Sequence, residues 1–313
     1  MKRIGILLLA AFLVAMGALA LTFLPKRLAI SQEPLGPLPQ ASPPAEMTLA
    51  LLDTGAMQAR AAFAFRGGSF SDARNFVMAV ALVHHPRGDL LIDAGFGRDV
   101  ADHFRATTPW LIRGVSSYTK GTPAADQLIA AGYSLDRLAG VVITHAHWDH
   151  VSGLPDLAKV PVWMNAEERR FVDSGAKMAE LMHGFSGLTI KEYPWDGGAY
   201  LGFAKSHDVW GDGSVVIAEA PGHTPGSVVV FVNLPSGARY AFVGDLVWQR
   251  EGYELPAERP WGARVAADDD ADLARANVSH VAHLHAEFPQ IVIVPAHDAR
   301  VAAELPKFPA RRD

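Results

Sequence analysis

The sequence predicts an α/β fold, and three observations predict it. Short apolar strands alternate with stretches of helical period, half of the 313 residues are hydrophobic while 19% are charged, and a polar residue repeatedly follows an apolar strand. The composition implies a sizeable core and carries no Gly or Pro excess large enough for disorder. Asp93, His145, Asp245 and His297 each close an apolar strand. In layered α/β proteins, strand ends are where ligands collect.

At the amino terminus, Lys2 and Arg3 precede an uncharged apolar run over 4–24. As a helix it would be about 31 Å long, enough to cross a bilayer core. Residues 1–27 therefore read as a membrane anchor, with a secretory signal peptide cut after Ala18-Leu19-Ala20 as the competing reading. Either places the body outside the cytoplasm, anchored to the membrane or released to the periplasm. Residues 28–46 contain PLGPLPQASPPAE, whose prolines favour extended backbone and exclude a helix, so this stretch reads as a linker. The folded domain then spans 47–313.

Within that domain MTLALLDTG opens a strand, and FVMAVALVHH, the PRGD turn and LLIDAGFG form a hairpin. Residues 124–131 have helical spacing and stop at Gly132, and Ser134 is placed to cap the turn LDRLAG before the strand VVIT. Later strands are expected at SVVIAEA, SVVVFVNL, ARYAFVG and IVIVPAH, with a helix over 272–288. The stretch 252–266, rich in Glu, Pro and Arg, has the composition of a lid loop. Asp268, Asp269 and Asp270 just before the late helix read as favourable charge at its N-terminus.

A formal net charge of −5 gives no long-range attraction for a polyanion, which excludes a nucleic-acid partner on electrostatic grounds and favours a small neutral or weakly charged substrate. Cysteine is absent, so disulfides, thiolate metal sites and a cysteine nucleophile are excluded. Any metal must be held by His, Asp or Glu.

The densest chemistry is THAHWDH over 144–150, which packs His145, His147, Asp149 and His150 into one turn. Ligands at that density cannot share one face of a regular element, and placing them after a buried strand would incur desolvation unless something paired them. Imidazole and carboxylate together suit zinc and leave room for water. His223 sits in PGHTPGS, a turn fixed by two prolines and two glycines; Asp245 ends YAFVGD and His297 ends IVIVPAH. These residues suffice for two metals that share a carboxylate.

With these motifs in order, the sequence resembles the metallo-β-lactamase fold superfamily in its H-x-H-x-D-H loop, G-H-T-P-G turn, later Asp and final His. The resemblance implies a four-layer αββα sandwich with a metal site along one edge of the sheets. It implies two zinc ions per chain, with iron or manganese as other occupants. One metal would take His145, His147 and His223, and the other Asp149, His150 and His297, with Asp245 bridging. Asp93 would lie behind the first histidines and orient an imidazole. Two cations acidify a shared water that then attacks, with Asp149 also orienting it. The activity implied is hydrolysis of a lactone or other carboxylic ester by a glyoxalase II-like or lactonase-like enzyme. Trp248 stands where acyl-homoserine lactonases of this family carry a Tyr, three residues after the bridging Asp.

Three alternatives stay open: a β-lactam or thioester hydrolase of the same fold, an iron-dependent sulfur dioxygenase-type oxidoreductase at the same ligands, and a non-catalytic binding protein. Phe96, Phe104, Trp110, Trp148 and Trp248 are candidates for a substrate wall. His280, His283 and His285 read as a solvated helix surface, and His84, His85, His103, His183 and His207 as structural or exposed. Oligomeric state is not legible in the sequence.

Overall fold

The computed structural model describes residues 2–114, 116–310 and 313. Among the described residues there are twelve strands, in chain order β1 Thr48–Arg60, β2 Ala73–His84, β3 Asp89–Ile92, β4 Ser117–Lys120, β5 Leu138–Val142, β6 Val162–Met164, β7 Ile190–Glu192, β8 Ser206–Asp208, β9 Val215–Glu219, β10 Val228–Asn233, β11 Arg239–Phe242 and β12 Ile291–Val294. They form a seven-stranded sheet ordered β4-β1-β2-β3-β5-β6-β7 and a five-stranded sheet ordered β12-β11-β10-β9-β8. Both are mixed: β3, β5, β6 and β7 pair in parallel, as do β11 and β12, and the other pairings are antiparallel.

The sheets face each other because each presents a full apolar side. Leu49, Leu51, Val83, Leu90 and Ile92 from the first meet Ile217, Val228, Val230, Tyr240 and Phe242 from the second. The opposite faces are apolar too: Val216, Ala218, Val229 and Phe231 lie under Val278, Val281 and Leu284 of the helix Ala271–Glu287. Leu52, Val80, Leu82 and Leu91 lie under the helix Ala124–Ala130 and its neighbours. Strands covered on both sides read as continuous apolar runs, and each fully buried aliphatic side chain contributes roughly 1.5–3 kcal/mol. The αββα sandwich is therefore the observed architecture.

Several elements differ from their sequence reading. The turn before β5 is only Leu135–Arg137, and Ser134 occupies its cap position without a side-chain capping bond. The stretch 252–266 is not a free lid. Residues 256–260 are buried, with Glu258 paired to Arg66, Arg264 and Arg275 and Arg259 bonded to Asp245 O. The proline-rich segment runs along the body: Leu28 N–H donates to Pro256 O, Ser42 N–H to Asp212 O, Arg239 to Pro39 O, and Leu35 is buried beside the second sheet.

What the topology places at one edge matters most. Asp93 follows β3, the loop 144–150 follows β5, His223 follows β9, Asp245 follows β11 and His297 follows β12. Backbone bonds from Asp93 N–H to Val142 O, Val228 N–H to Thr144 O and Val243 N–H to Val294 O hold these strand ends together.

Candidate metal centre

Two groups of ligand-type atoms converge at that edge, each with its atoms within 4.8 Å of one another: His145, His147, His223 and Asp245, and Asp149, His150 and His297. Nε2 of His145 lies 3.2 Å from Nε2 of His223. Nε2 of His147 is buried with no hydrogen-bond partner. A buried imidazole nitrogen without a partner is costly unless a cation takes its lone pair. Converging nitrogens, an orphaned one and an adjoining carboxylate fit a divalent metal, and the chemistry of the donors fits zinc.

Asp245 joins the two groups. Its Oδ1 lies 2.9 Å from His297 Nε2 and 3.2 Å from His150 Nε2, while Oδ2 lies 3.4 Å from His223 Nε2. Asp149 Oδ2 is 3.5 Å from His297 Nε2. One carboxylate thus turns an oxygen toward each group.

Partners on the far side fix each ring. Asp93, at φ 62°, accepts from Thr144 N–H and Thr144 Oγ1 and receives His150 Nδ1 at 2.8 Å. The imidazole it orients is His150, not His145 or His147. Thr144 Oγ1 in turn takes His145 Nδ1 at 3.1 Å, and His297 Nδ1 donates to Val77 O. His223 Nδ1 lies 2.9 Å from Asp268 Oδ1. Of the three consecutive acids, Asp270 caps the late helix through Asp272 N–H and Leu273 N–H, whereas Asp268 is turned inward and paired with both His223 and Arg259. Carboxylate partners of this kind fix the tautomer and raise ligand basicity. Asp268→Asn should accordingly weaken zinc binding by about 10- to 100-fold with little change in melting temperature, as competition against a fluorescent chelator would register.

The electrostatics divide the cluster. Burial, reinforced by the neighbouring imidazoles, holds His145 and His147 well below the ordinary histidine range. Burial opposes charge at His150 as well, yet Asp93, Asp245 and Asp149 hold it well above that range. Burial also works against ionised Asp245, but His297 and His150 keep its carboxyl well below the usual value. His145 and His147 are thus poised as neutral donors.

Glu168 ties the two loops together. It accepts from Ala146 N–H between the first two histidines, and from Gly226 N–H and Thr224 Oγ1 in the turn after His223. Burial pushes its carboxyl up to about 7 against those donors. Asn165 caps the helix Ala166–Asp173 by accepting from Glu168 N–H, so N-A-E-E reads locally as a capping box, but the Glu168 side chain is used elsewhere. A Glu168→Gln variant turns an amide group toward donors and should lose about 2 kcal/mol in urea denaturation.

The aromatic candidates separate. Phe96 is 0% exposed, enclosed by Tyr118 and Trp148, and Phe104 packs on the same two rings. Both therefore back the Trp148 ring and add little surface of their own. Trp110 is 72% exposed on the short helix Trp110–Arg113. Trp148 and Trp248 are half-buried. Trp248 Nε1–H donates to Asp245 Oδ2 at 2.6 Å, and Arg259 stacks on its ring at 4.7 Å. Its indole holds the joining carboxylate and has no second proton to offer a substrate.

Among the other histidines, Nδ1 of His283 and of His285 is buried without a hydrogen-bond partner, and the rest are bonded or stacked locally. His280 is buried and donates to Leu201 O, so it does not lie on a solvated surface, and His285 packs on Tyr253. His85 stacks on Trp210, His84 pairs with Asp89, His103 with Ser152, His183 with Val172 O and His207 with Asp196. Among the described residues these form no third ligand group.

A family model described as the Metallo-beta-lactamase superfamily matches residues 75–297. Two curated relatives, each named "Probable metallo-hydrolase", come from Mycobacterium bovis and Mycobacterium tuberculosis. Each is 29% identical over 234 residues, covering 70% of this chain and 74% of the relative. Among solved structures, an N-acyl homoserine lactone hydrolase with N-hexanoyl-L-homoserine at its catalytic metal centre superposes with a TM-score of 0.67. It is 17% identical and covers 88% of this chain and 100% of its own. A dizinc quorum-quenching lactonase in complex with its product gives 0.58 at 15% identity, covering 87% and 92%. At these identities the structural likeness speaks to the fold.

Proposed function

Because the chain belongs to the metallo-beta-lactamase superfamily, we propose that this metallo-hydrolase cleaves a lactone or another carboxylic ester with two divalent ions, zinc in the first instance. His145, His147 and His223 would hold one ion and Asp149, His150 and His297 the other, with Asp245 shared. The observation that carries the reading is the placement of Asp245, whose two oxygens face different ligand groups. Bound ions would supply Lewis acidity and a water acidic enough to attack near neutral pH.

The chain's own groups do the rest. Asp149, half-buried beside His297, accepts a hydrogen bond from the attacking water and orients it. Trp248 and Arg259 keep Asp245 in place, the indole through Oδ2 and the guanidinium through the backbone carbonyl. Trp148, backed by Phe96 and Phe104, gives the substrate's apolar part a rigid surface. The lactone reading gains support from relatives of the same fold that carry acyl-homoserine products. The catalytic domain in this reading spans 47–313.

The test is a panel of lactones, aryl esters, thioesters and β-lactams offered to the zinc-loaded full chain, with metal analysis on the same preparation. Turnover of lactones or esters with two ions per chain is the expected result. One iron per chain in an active sample would move the assignment to an oxygenase, and turnover confined to thioesters or β-lactams would move it within the hydrolases. Trp248→Phe removes the donor to Asp245 and should weaken zinc binding about 10-fold in a chelator competition.

A further inference from the structure

We infer that the N-terminal helix is retained and that the body is seated directly on the bilayer through a phenylalanine cluster at the helix's end. The helix Lys2–Leu21 contains a 19-residue window, Arg3–Leu21, of mean hydropathy 2.7, none of it buried against the body. The last turn of the span closes on itself, with Thr22, Phe23 and Leu24 N–H donating to Leu19, Ala20 and Leu21 O. The body adds further bonds at this end: Arg66 donates through Nη2 to Leu21 O and through Nε to Leu24 O, and Gly67 N–H donates to Phe23 O. A guanidinium at a helix C-terminus also meets the negative end of the helix dipole.

Arg66 is itself fixed. Its Nη1 bonds Glu258 Oε1, its backbone N–H bonds Glu258 O, and Glu258 also takes Arg264 and Arg275. The span therefore ends on a rigid joint, one residue in sequence from Arg259, which contacts Asp245 and Asp268 at the metal centre.

Around this joint large apolar side chains remain at the surface. Phe23, Phe63 and Phe70 form a mutual ring cluster with centroids 5.0–6.1 Å apart, and Phe70 is 56% exposed, as is 54% of Leu24. Lys26 and Arg27 follow immediately and are exposed. Aromatic rings at the end of an apolar span, followed by basic residues, match the depth profile of a bilayer interface, with rings at the acyl boundary and cations among phosphates. The occupant of this surface is the leaflet the span itself enters. Seating there would hold the metal centre at a fixed height and orientation above the lipid.

The absence of cysteine makes the test direct, since a single spin label can be placed anywhere. Full-length Phe70→Cys and Ile129→Cys, the latter exposed on the helix Ala124–Ala130, would be labelled and reconstituted in phosphatidylcholine–phosphatidylglycerol vesicles. Collision with oxygen and with a water-soluble nickel chelate would then be compared. The label at 70 should collide several-fold less with nickel and more with oxygen than the label at 129. Equal nickel accessibility at both positions would overturn the seating. Intact mass of the chain extracted from membranes should include residues 1–21, and a released body lacking them would overturn retention.

Discussion

His147→Ala should abolish hydrolysis, by at least roughly 1000-fold in kcat/KM, while leaving the protein folded. The two halves of that expectation come from one atom. His147 Nε2 is buried and has no protein partner, so the metal-free fold loses only packing when the ring is removed, roughly 1 kcal/mol. The same atom is the donor that points at nothing but the space shared with His145 and His223. A circular dichroism melt within a few degrees of the parent, beside loss of turnover and of zinc, is the expected pair of readings. Unchanged turnover would remove His147 from the site.

Asp149→Asn should lower kcat by about 100- to 1000-fold with a smaller change in KM, because it weakens one metal position and removes the acceptor that orients the nucleophile. Asp149 is the only acid in the 144–150 loop and sits 3.5 Å from His297, the histidine delivered from the far end of the chain. Zinc content should fall toward one ion per chain, since His145, His147, His223 and Asp245 remain. A variant with full zinc content and full kcat would mean that Asp149 neither holds a metal nor directs water.

The candidate metal site is legible in the sequence because most of its side chains lie within a few positions of one another or at the ends of unmistakable apolar strands. THAHWDH declares itself by density, and Asp245 and His297 by closing YAFVGD and IVIVPAH. The residues that hold those ligands were not legible, because their partners are distant. Asp268 looks like one of three helix-start acids until the fold brings it against His223, 45 residues earlier. Glu168 looks like a capping residue until Ala146 and Gly226 arrive at its oxygens. Arg259 sits in a stretch whose Pro and Glu content suggests a lid, and only the fold shows its side chain buried and bonded to Asp245 O and Asp268. Strand content was similarly uneven: long apolar β1, β2 and β10 announced themselves, while the three-residue β6, β7 and β8 carry too few side chains to show a period. Phe96 and Phe104 show the converse limit, since an aromatic near a ligand loop can serve as backing for the ring that forms the surface.

In the proposed function, seven side chains from distant strand ends enclose two cations on which hydrolysis depends. Stripping the full chain with a chelator and titrating zinc back, while following both equilibrium uptake and turnover of an aryl ester or lactone, tests this directly. Uptake should saturate at two ions per chain, with turnover restored in parallel. Turnover that survives stripping, or a folded protein that takes up no zinc, would contradict it.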